Sequence, residues 1–394
     1  MNDPLRDLRA ILLTAAALAL GAAVSLGLAR FSYALLLPPM RADLGWSYFT
    51  AGAMNTANAA GYLLGALVTP RALLRIDART LMLSGSAATA LLLAGHGMVL
   101  DDNALFVLRL LTGITSAAVF VSGGLLAARL GTGHASAGLV LGVYYGGTGV
   151  GIIASAVLVP PLTARTLAHA WQGAWWALAL AAVLATGVTA WATRGQAKSA
   201  AHRTAGAQAF RWRHFRFGLA AYFLFGLGYI GYMTFVITLL REQHLSNAQI
   251  VGFYIVLGVG VIASSWLWAG LLQRFRGGQS LGLLNALLAI ATALPVVSSH
   301  PLAVFASGAL FGSVFLSVVA STTSLVRHNL PAADWSGGIS AFTVVFAAGQ
   351  IIGPSVVGWV ADGPGGLRLG LASSAAVLAL GALLAWRQKP LTAG

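Results

Sequence analysis

The chain has 394 residues, of which 58% are hydrophobic and only 8% are charged. Soluble domains usually carry about a quarter of charged residues, so this composition excludes an ordinary globular protein. There is no cysteine, which excludes disulfides and thiolate chemistry. The formal net charge is +14, which in so apolar a chain is expected to orient membrane helices rather than to bind nucleic acid.

Apolar stretches of about 18 residues or more predict transmembrane helices. Twelve such stretches follow one another with short connections, so we expect an all-helical integral membrane bundle with little chain outside the bilayer. They lie approximately at Ile11–Leu37, Thr50–Thr69, Leu81–Leu100, Ala104–Leu126, Ala137–Pro160, Gly173–Ala192, Phe217–Leu240, Ile250–Leu272, Leu281–Val297, Leu302–Val326, Ile339–Val360 and Leu369–Trp386.

The positive charges indicate the orientation of these spans. With the N-terminus inside, seventeen lysines and arginines fall on the inner side and four in outer loops, at Arg41, Arg165, Arg241 and Arg368. Because cytoplasmic loops carry the excess of basic residues, both termini are predicted to be cytoplasmic. The inner loops are expected to contact anionic lipid head groups, and no nucleic-acid partner is expected.

The chain is predicted to consist of two related halves. A basic polar linker, 194–216, separates an N-terminal half of six spans, 1–193, from a C-terminal half of six spans, 217–394. Glycine patterns recur between the halves at offsets of 199 or 200 residues, pairing Gly27 with Gly226, Gly113 with Gly312 and Gly149 with Gly349. Such internal repeats are typical of transporters. In the same register Arg30 corresponds to Tyr229, and Arg109 corresponds to Gly308.

Four local motifs resemble those of the major facilitator superfamily: Arg109-Leu-Leu-Thr-Gly113 in span four, the glycine-rich Gly142–Gly151 in span five, Gly353-Pro354 to Asp362 at the end of span eleven, and Gly27-Leu-Ala-Arg30-Phe-Ser-Tyr33 to Met40 in span one. The last of these is similar to the YbfB/YjiJ-type bacterial branch. The resemblance implies two pseudo-symmetric halves, a central cavity and alternating access. It also implies a multi-pass protein of the bacterial cytoplasmic (inner) membrane, which we expect to be a monomer.

Arg30 and Arg109 are the charged residues inside the predicted spans, and none of these spans contains Asp or Glu. A charge in hydrocarbon is costly and usually marks a functional site. Both arginines are expected at similar depth in the outer half of the membrane, on spans that face the cavity if the resemblance holds. Guanidinium groups bind carboxylates through paired hydrogen bonds, so a shared anion site is predicted.

For both arginines, alternatives to an anion site remain open. Arg30 could extend along lipid to the outer interface, and Arg109 could have a structural or coupling role. Backbone carbonyls or the asparagines of span two could also satisfy either guanidinium.

Further residues complete the predicted substrate site: Tyr33, Tyr62, Tyr145, Tyr229, Tyr232, Asn55, Asn58 and Gln350. Tyr33 lies one turn after Arg30 and is expected on the same face. The tyrosines either line the cavity or simply pack helices. The two asparagines either link helices or contact substrate. The glycines of span five predict close helix packing, and those of span seven predict a hinge or a locally unwound segment.

The function predicted from these features is secondary active transport of a small organic anion, a mono- or dicarboxylate, by alternating access. The alternative is export of neutral or acidic hydrophobic compounds, of the drug or siderophore type. The histidines fall in loops or at span ends without a ligand partner at helical spacing, so no enzyme activity, metal or cofactor is expected. Because no span carries a carboxylate, a co-transported proton would have to travel on the substrate, a tyrosine or a loop-edge histidine.

Overall fold

The computed structural model describes residues 4–132, 137–164, 167–195, 210–331 and 334–391. Within these ranges the chain is helical and contains no β-strand. In chain order the α-helices are α1 Pro4–Ala22, α2 Tyr33–Leu44, α3 Tyr48–Ala72, α4 Ala78–His96, α5 Asp102–Leu130, α6 Ala137–Thr163, α7 Ala170–Ala192, α8 Arg216–Glu242, α9 Asn247–Leu267, α10 Ala269–Arg274, α11 Gln279–Val297, α12 Pro301–Asn329, α13 Trp335–Ala361 and α14 Gly366–Trp386. A π-helix, Ala23–Phe31, joins α1 to α2, and a short 3₁₀ turn, Trp212–Phe215, precedes α8.

The predicted twelve-helix fold is confirmed. Eleven helical stretches of the described chain are long and apolar enough to cross a membrane. One of them combines α1, the π-helix and α2, and another combines α9 and α10. The remaining predicted span is α3, whose 25 residues reach about 37 Å at the helical rise. It is less apolar than the others because Asn55 and Asn58 interrupt a segment rich in alanine and glycine.

The chain divides into two compact units. The first comprises Met1–Leu44 and Ala57–His202, and the second comprises Gly45–Thr56 and Arg203–Gly394. The beginning of α3 therefore groups with the second unit and its remainder with the first. Most of the predicted linker, 196–209, lies outside the described residues. The predicted boundaries of the halves thus stay a prediction.

Glycines allow helices of the first unit to approach closely. A Cβ atom at Gly27 of the π-helix would lie 2.4 Å from the Gly151 Cα of α6, and a Cβ at Gly151 would lie 2.4 Å from the Ala23 carbonyl oxygen. Neither position has room for a side chain. The close-packing role predicted for the span-five glycines is therefore confirmed at Gly151.

The same helix crossing occurs in each unit. In the first unit a Cβ at Gly113 of α5 would lie 2.1 Å from the Asn58 carbonyl oxygen of α3. In the second unit a Cβ at Gly312 of α12 would lie 2.1 Å from the Leu257 carbonyl oxygen of α9. Both members of the second pair follow those of the first by 199 residues. The internal repeat read from the sequence is thus also a repeat of backbone contacts.

The departure from α-helical geometry occurs in span one rather than in span seven. Ala23–Phe31 forms a π-helix, and the Ser32 N–H bonds the Gly27 carbonyl oxygen five residues back at 3.0 Å. In contrast, α8 is continuous from Arg216 to Glu242. The prediction of an unwound span seven is therefore wrong. Its glycines serve packing instead, since a Cβ at Gly228 would lie 2.7 Å from the Leu378 side chain.

Candidate functional site

Arg30 and Arg109 are both buried within the first unit, with 4% and 1% of their surface exposed. Arg30 lies near the end of the π-helix, and Arg109 lies two turns into α5. The alternative in which Arg30 extends along the lipid-facing surface is therefore wrong, because its side chain is enclosed by protein.

The two guanidinium groups lie over tyrosine rings. The Arg109 Cζ atom is 4.5 Å from the centroid of Tyr33, and the Arg30 Cζ atom is 5.4 Å from the centroid of Tyr62. These distances are typical of cation–π contacts. The Arg109 guanidinium also bonds the carbonyl oxygen of Ala29, the residue before Arg30. We call Arg30, Arg109, Tyr33 and Tyr62 the arginine cluster.

Backbone contacts hold the arginine cluster in place. The Arg109 Nη1–H group donates to the Ala29 carbonyl oxygen of the π-helix at 3.0 Å. The Asn58 Nδ2–H group of α3 donates to the Arg109 carbonyl oxygen at 3.1 Å. Arg109 therefore ties α5 to the π-helix, and Asn58 links α3 to α5. The helix-linking role that the sequence left open is confirmed for Asn58, whereas direct substrate contact by either residue stays a prediction.

Four other predicted site residues belong to the second unit, where they bond neighbouring helices. The Gln350 side-chain amide of α13 donates to the Tyr229 hydroxyl of α8. The Tyr232 hydroxyl lies 2.6 Å from the Ser307 Oγ, which itself donates to a backbone carbonyl, so Tyr232 is the donor. The Asn55 Nδ2–H group donates to the Thr234 hydroxyl at 2.6 Å.

Tyr145 belongs to a different ring cluster of the first unit. It contacts Phe120 at 5.7 Å and Tyr144 at 5.4 Å between ring centroids, and 38% of its surface is exposed. Tyr145 therefore lies outside the arginine cluster, and its contact with substrate stays a prediction.

A stack of aromatic rings in the second unit was not predicted. The Tyr229 ring lies nearly parallel to those of Phe225, Phe346 and Phe315, with centroids 4.7, 5.7 and 6.0 Å away. Tyr222 extends the stack at 4.8 Å from Phe346. We call these five residues the aromatic column. The spacing of 222, 225 and 229 along one helix face was readable in the sequence, but the partners from α12 and α13 were not.

The start of α3 is held by carboxylates that the sequence analysis did not single out. The backbone N–H groups of Tyr48 and Phe49 donate to the two oxygens of Asp362, at 2.8 and 2.9 Å. The Tyr48 hydroxyl donates to Glu242. Since α3 begins where α8 and α13 end, Asp362 and Glu242 fasten three helix ends within the second unit.

Comparison with known proteins gives a family match and a fold match. The family described as "Uncharacterised MFS-type transporter YbfB" matches residues 22–386. No curated protein matches the chain.

Solved transporters share the fold over nearly the full length of the chain. A bacterial homologue of the human lysosomal transporter Spinster superposes with a TM-score of 0.70 at 14% identity, covering 98% of this chain and 97% of that one. The nucleoside transporter NupG gives 0.69 at 15% identity over 97% of both chains, and a variant of it gives 0.77 at 14% identity over 95% and 99%.

The family match extends from the end of α1 to the end of α14. At such low identity the solved structures support the fold alone, and the family match supplies the class of activity. The chain therefore belongs to the YbfB family of major facilitator superfamily transporters: it is a multi-pass integral membrane protein and a secondary transporter, not an enzyme.

Proposed function

We propose that the protein transports a small organic anion, a mono- or dicarboxylate, by alternating access, and that Arg30 and Arg109 hold the anion. The observation that carries this proposal is the burial of two guanidinium charges in one cluster of the first unit. An arginine exposed to water keeps its hydration, whereas burying one costs free energy. Two buried arginines therefore indicate a function.

Electrostatics favours an anion at the arginine cluster. Like charges repel more strongly in a low-dielectric interior than in water, and a carboxylate close to both cations offsets that repulsion. Arginine suits this role because its planar fork matches the two carboxylate oxygens. The rings of Tyr33 and Tyr62 supply apolar surface for the body of the ligand. Cationic cargo fits poorly, because no aspartate or glutamate is buried among the residues whose burial is described.

The remaining predicted substrate contacts are part of this proposal and rest on the sequence repeat. Tyr229 occupies the position that matches Arg30, and Tyr232 and Gln350 lie near it in the second unit. We further propose a monomer in the bacterial cytoplasmic membrane with both termini inside. The excess of basic residues in the inner loops supports this orientation and a contact with anionic lipids.

The aromatic column favours a second candidate function, export of neutral or acidic hydrophobic compounds. Its rings, from α8, α12 and α13, form a buried apolar region of the second unit, which suits a hydrophobic ligand better than a charged one. The two candidates differ in what competes for binding. Simple carboxylates such as lactate and succinate displace the ligand only if the arginine cluster holds it.

A thermal-shift screen of the purified protein tests the anion proposal. Lactate, succinate and benzoate, compared with neutral and cationic analogues, are expected to raise the melting temperature, since a ligand at 100 times its Kd stabilises by about 2.7 kcal/mol. Arg30→Ala and Arg109→Ala should each abolish this shift while leaving expression near normal.

Matched variants separate charge from packing. Arg368→Ala removes an exposed arginine and should keep the full shift. Arg109→Lys keeps the charge but loses the planar fork, so a partial shift is expected. Equal ligand stabilisation of the wild type and both alanine variants would rule out an anion site at this cluster.

A further inference from the structure

A buried imidazole lies at the end of α4. His96 has no exposed surface, and it is the one buried side chain among the histidines, aspartates and glutamates whose burial the structure describes. The sequence placed His96 at a span end, among the histidines that were considered as carriers of a co-transported proton. Its burial means that a proton on this ring would be held inside the protein.

The hydrogen bonding of His96 fixes which nitrogen can accept a proton. Its Nδ1 atom lies 2.7 Å from the Leu92 carbonyl oxygen. A carbonyl only accepts, so Nδ1 carries the hydrogen and the neutral ring keeps a lone pair on Nε2. That Nε2 atom is buried and has no hydrogen-bond partner among the described residues.

Complete burial keeps the His96 ring neutral in the resting protein, because an imidazolium would lose its hydration there. Its ring stacks on Trp175 of α7 with centroids 4.4 Å apart, and an aromatic face stabilises an imidazolium. A Cβ at Gly95, the residue before His96, would lie 3.2 Å from the side chain of Leu108, the residue before Arg109 on α5. The nearby positive charge of Arg109 also disfavours a charged imidazole. The other charged groups on the elements packed against α4 are Arg30, Asp101, Asp102, Arg129 and His169, with Arg79 at the far end of α4 itself.

We propose that His96 Nε2 binds the proton that is transported together with the anion, which rests on the proposed anion function. An anion at the arginine cluster offsets the charge of Arg109, and protonation of His96 then becomes more favourable. By linkage, a proton on His96 raises the affinity for the anion by the same factor. The proton and the anion therefore bind together and leave together.

The proton balance needs no further reactant. One proton is taken from water on binding and returned to water on release, and no covalent bond of the anion changes. His96 is the last residue of α4, at the end of this helix that is predicted to face outward.

Transport by reconstituted protein tests this proposal. Proteoliposomes receive radiolabelled succinate or lactate, either with an inward proton gradient or under exchange at equal pH, and uptake by protein-free vesicles is subtracted. We expect the gradient to stimulate wild-type uptake about 5-fold or more, which is the lower range of coupling between two sites. His96→Gln keeps a donor for the Leu92 carbonyl but cannot titrate, so it should lose the stimulation and retain exchange.

Controls distinguish coupling from structure. His328→Gln changes an exposed histidine in the last turn of α12 and should behave as wild type. Full gradient stimulation in His96→Gln would overturn the proposal, and so would equal loss of stimulation and exchange in a folded variant, since that marks a structural role.

Calorimetry provides a second measurement without relying on transport. Titration of succinate in phosphate and Tris buffers counts the protons taken up on binding. We expect a net uptake in the wild type that disappears in His96→Gln; binding without proton uptake in the wild type would overturn the proposal. Absence of both carboxylate binding and exchange in the wild type would instead contradict the proposed function itself.

Discussion

At the residue scale, Arg109 combines two roles that the sequence could not separate. Its guanidinium bonds the Ala29 carbonyl oxygen and lies over Tyr33, while its own carbonyl accepts a hydrogen bond from Asn58. These contacts place the charge at a fixed point beside the π-helix. A rigidly held cation is what an anion site requires, because little entropy is then lost when the ligand binds.

Asp362 offers a residue-scale prediction about stability. Its carboxylate accepts hydrogen bonds from two backbone N–H groups at the start of α3, which would otherwise be unsatisfied at a helix N-terminus. Asp362→Ala is expected to destabilise the protein by about 0.5–2 kcal/mol. Asp362→Asn should keep only part of the stability, because its single side-chain oxygen can accept from one of the two N–H groups. Thermal unfolding measures both, and equal melting temperatures for the alanine variant and the wild type would refute the capping role.

Individual residues show where sequence reasoning reached its limit. Arg30 and Arg109 could be singled out because a charge within an apolar run is a local signal. Tyr33 was expected on the face of Arg30, but the cation over its ring is that of Arg109. The intervening backbone is a π-helix, so α-helical spacing does not apply to it. His96 could not be recognised as buried, since its burial depends on contacts from α7 far along the chain.

At the element scale, the π-helix gives span one its special geometry. At its end the Ser32 N–H bonds the Gly27 carbonyl oxygen, five residues back, where an α-helix would bond four residues back. This wider turn changes the direction in which Arg30 projects compared with a regular helix. π-bulges are frequent at functional sites.

The repeated glycine crossing gives an element-scale prediction. A Cβ at Gly61 of α3 would lie 1.9 Å from the Leu110 carbonyl oxygen of α5, so Gly61→Ala forces two backbones apart. We expect Gly61→Ala, and Gly312→Ala at the corresponding helix crossing of the second unit, each to destabilise by about 1–3 kcal/mol, the usual cost of overpacking.

Gly187→Ala is the matched control for this crossing. Nothing lies within 4 Å of a Cβ at Gly187, and alanine favours the helix, so this variant should be as stable as the wild type or more so. Thermal unfolding in detergent compares the three variants. Equal melting temperatures of Gly61→Ala and Gly187→Ala would contradict the close contact between the two backbones.

The sequence predicted where the membrane helices lie better than it predicted departures from regular helix geometry within them. Apolar length predicted the spans well, because a membrane helix needs a continuous hydrophobic run. Neither the π-helix nor the break at Trp268 between α9 and α10 interrupts a hydrophobic run, so neither could be predicted from the sequence. The glycines of α8 were taken for flexibility, yet Gly226 and Gly228 are sites where neighbouring helices approach. A helix rich in glycine is expected either to approach a neighbouring helix closely or to bend. Only the packing partners distinguish these two outcomes.

At the scale of the whole molecule, charge determines what drives transport. A membrane potential of 100 mV, negative inside, favours the exit of each negative charge by about 2.3 kcal/mol. An anion entering alone moves against this force, whereas a monocarboxylate entering with one proton carries no net charge. A proton site at His96 near the arginine cluster would therefore make import feasible in a transporter in which no described Asp or Glu is buried.

The structure of the purified protein with its most stabilising carboxylate bound is the most direct test of the central claim. We predict carboxylate oxygens about 2.7–2.9 Å from the guanidinium nitrogens of Arg30 and Arg109, the usual length of a charge-assisted hydrogen bond. A ligand bound against the aromatic column, with neither arginine touching it, would contradict the account and favour hydrophobic export instead.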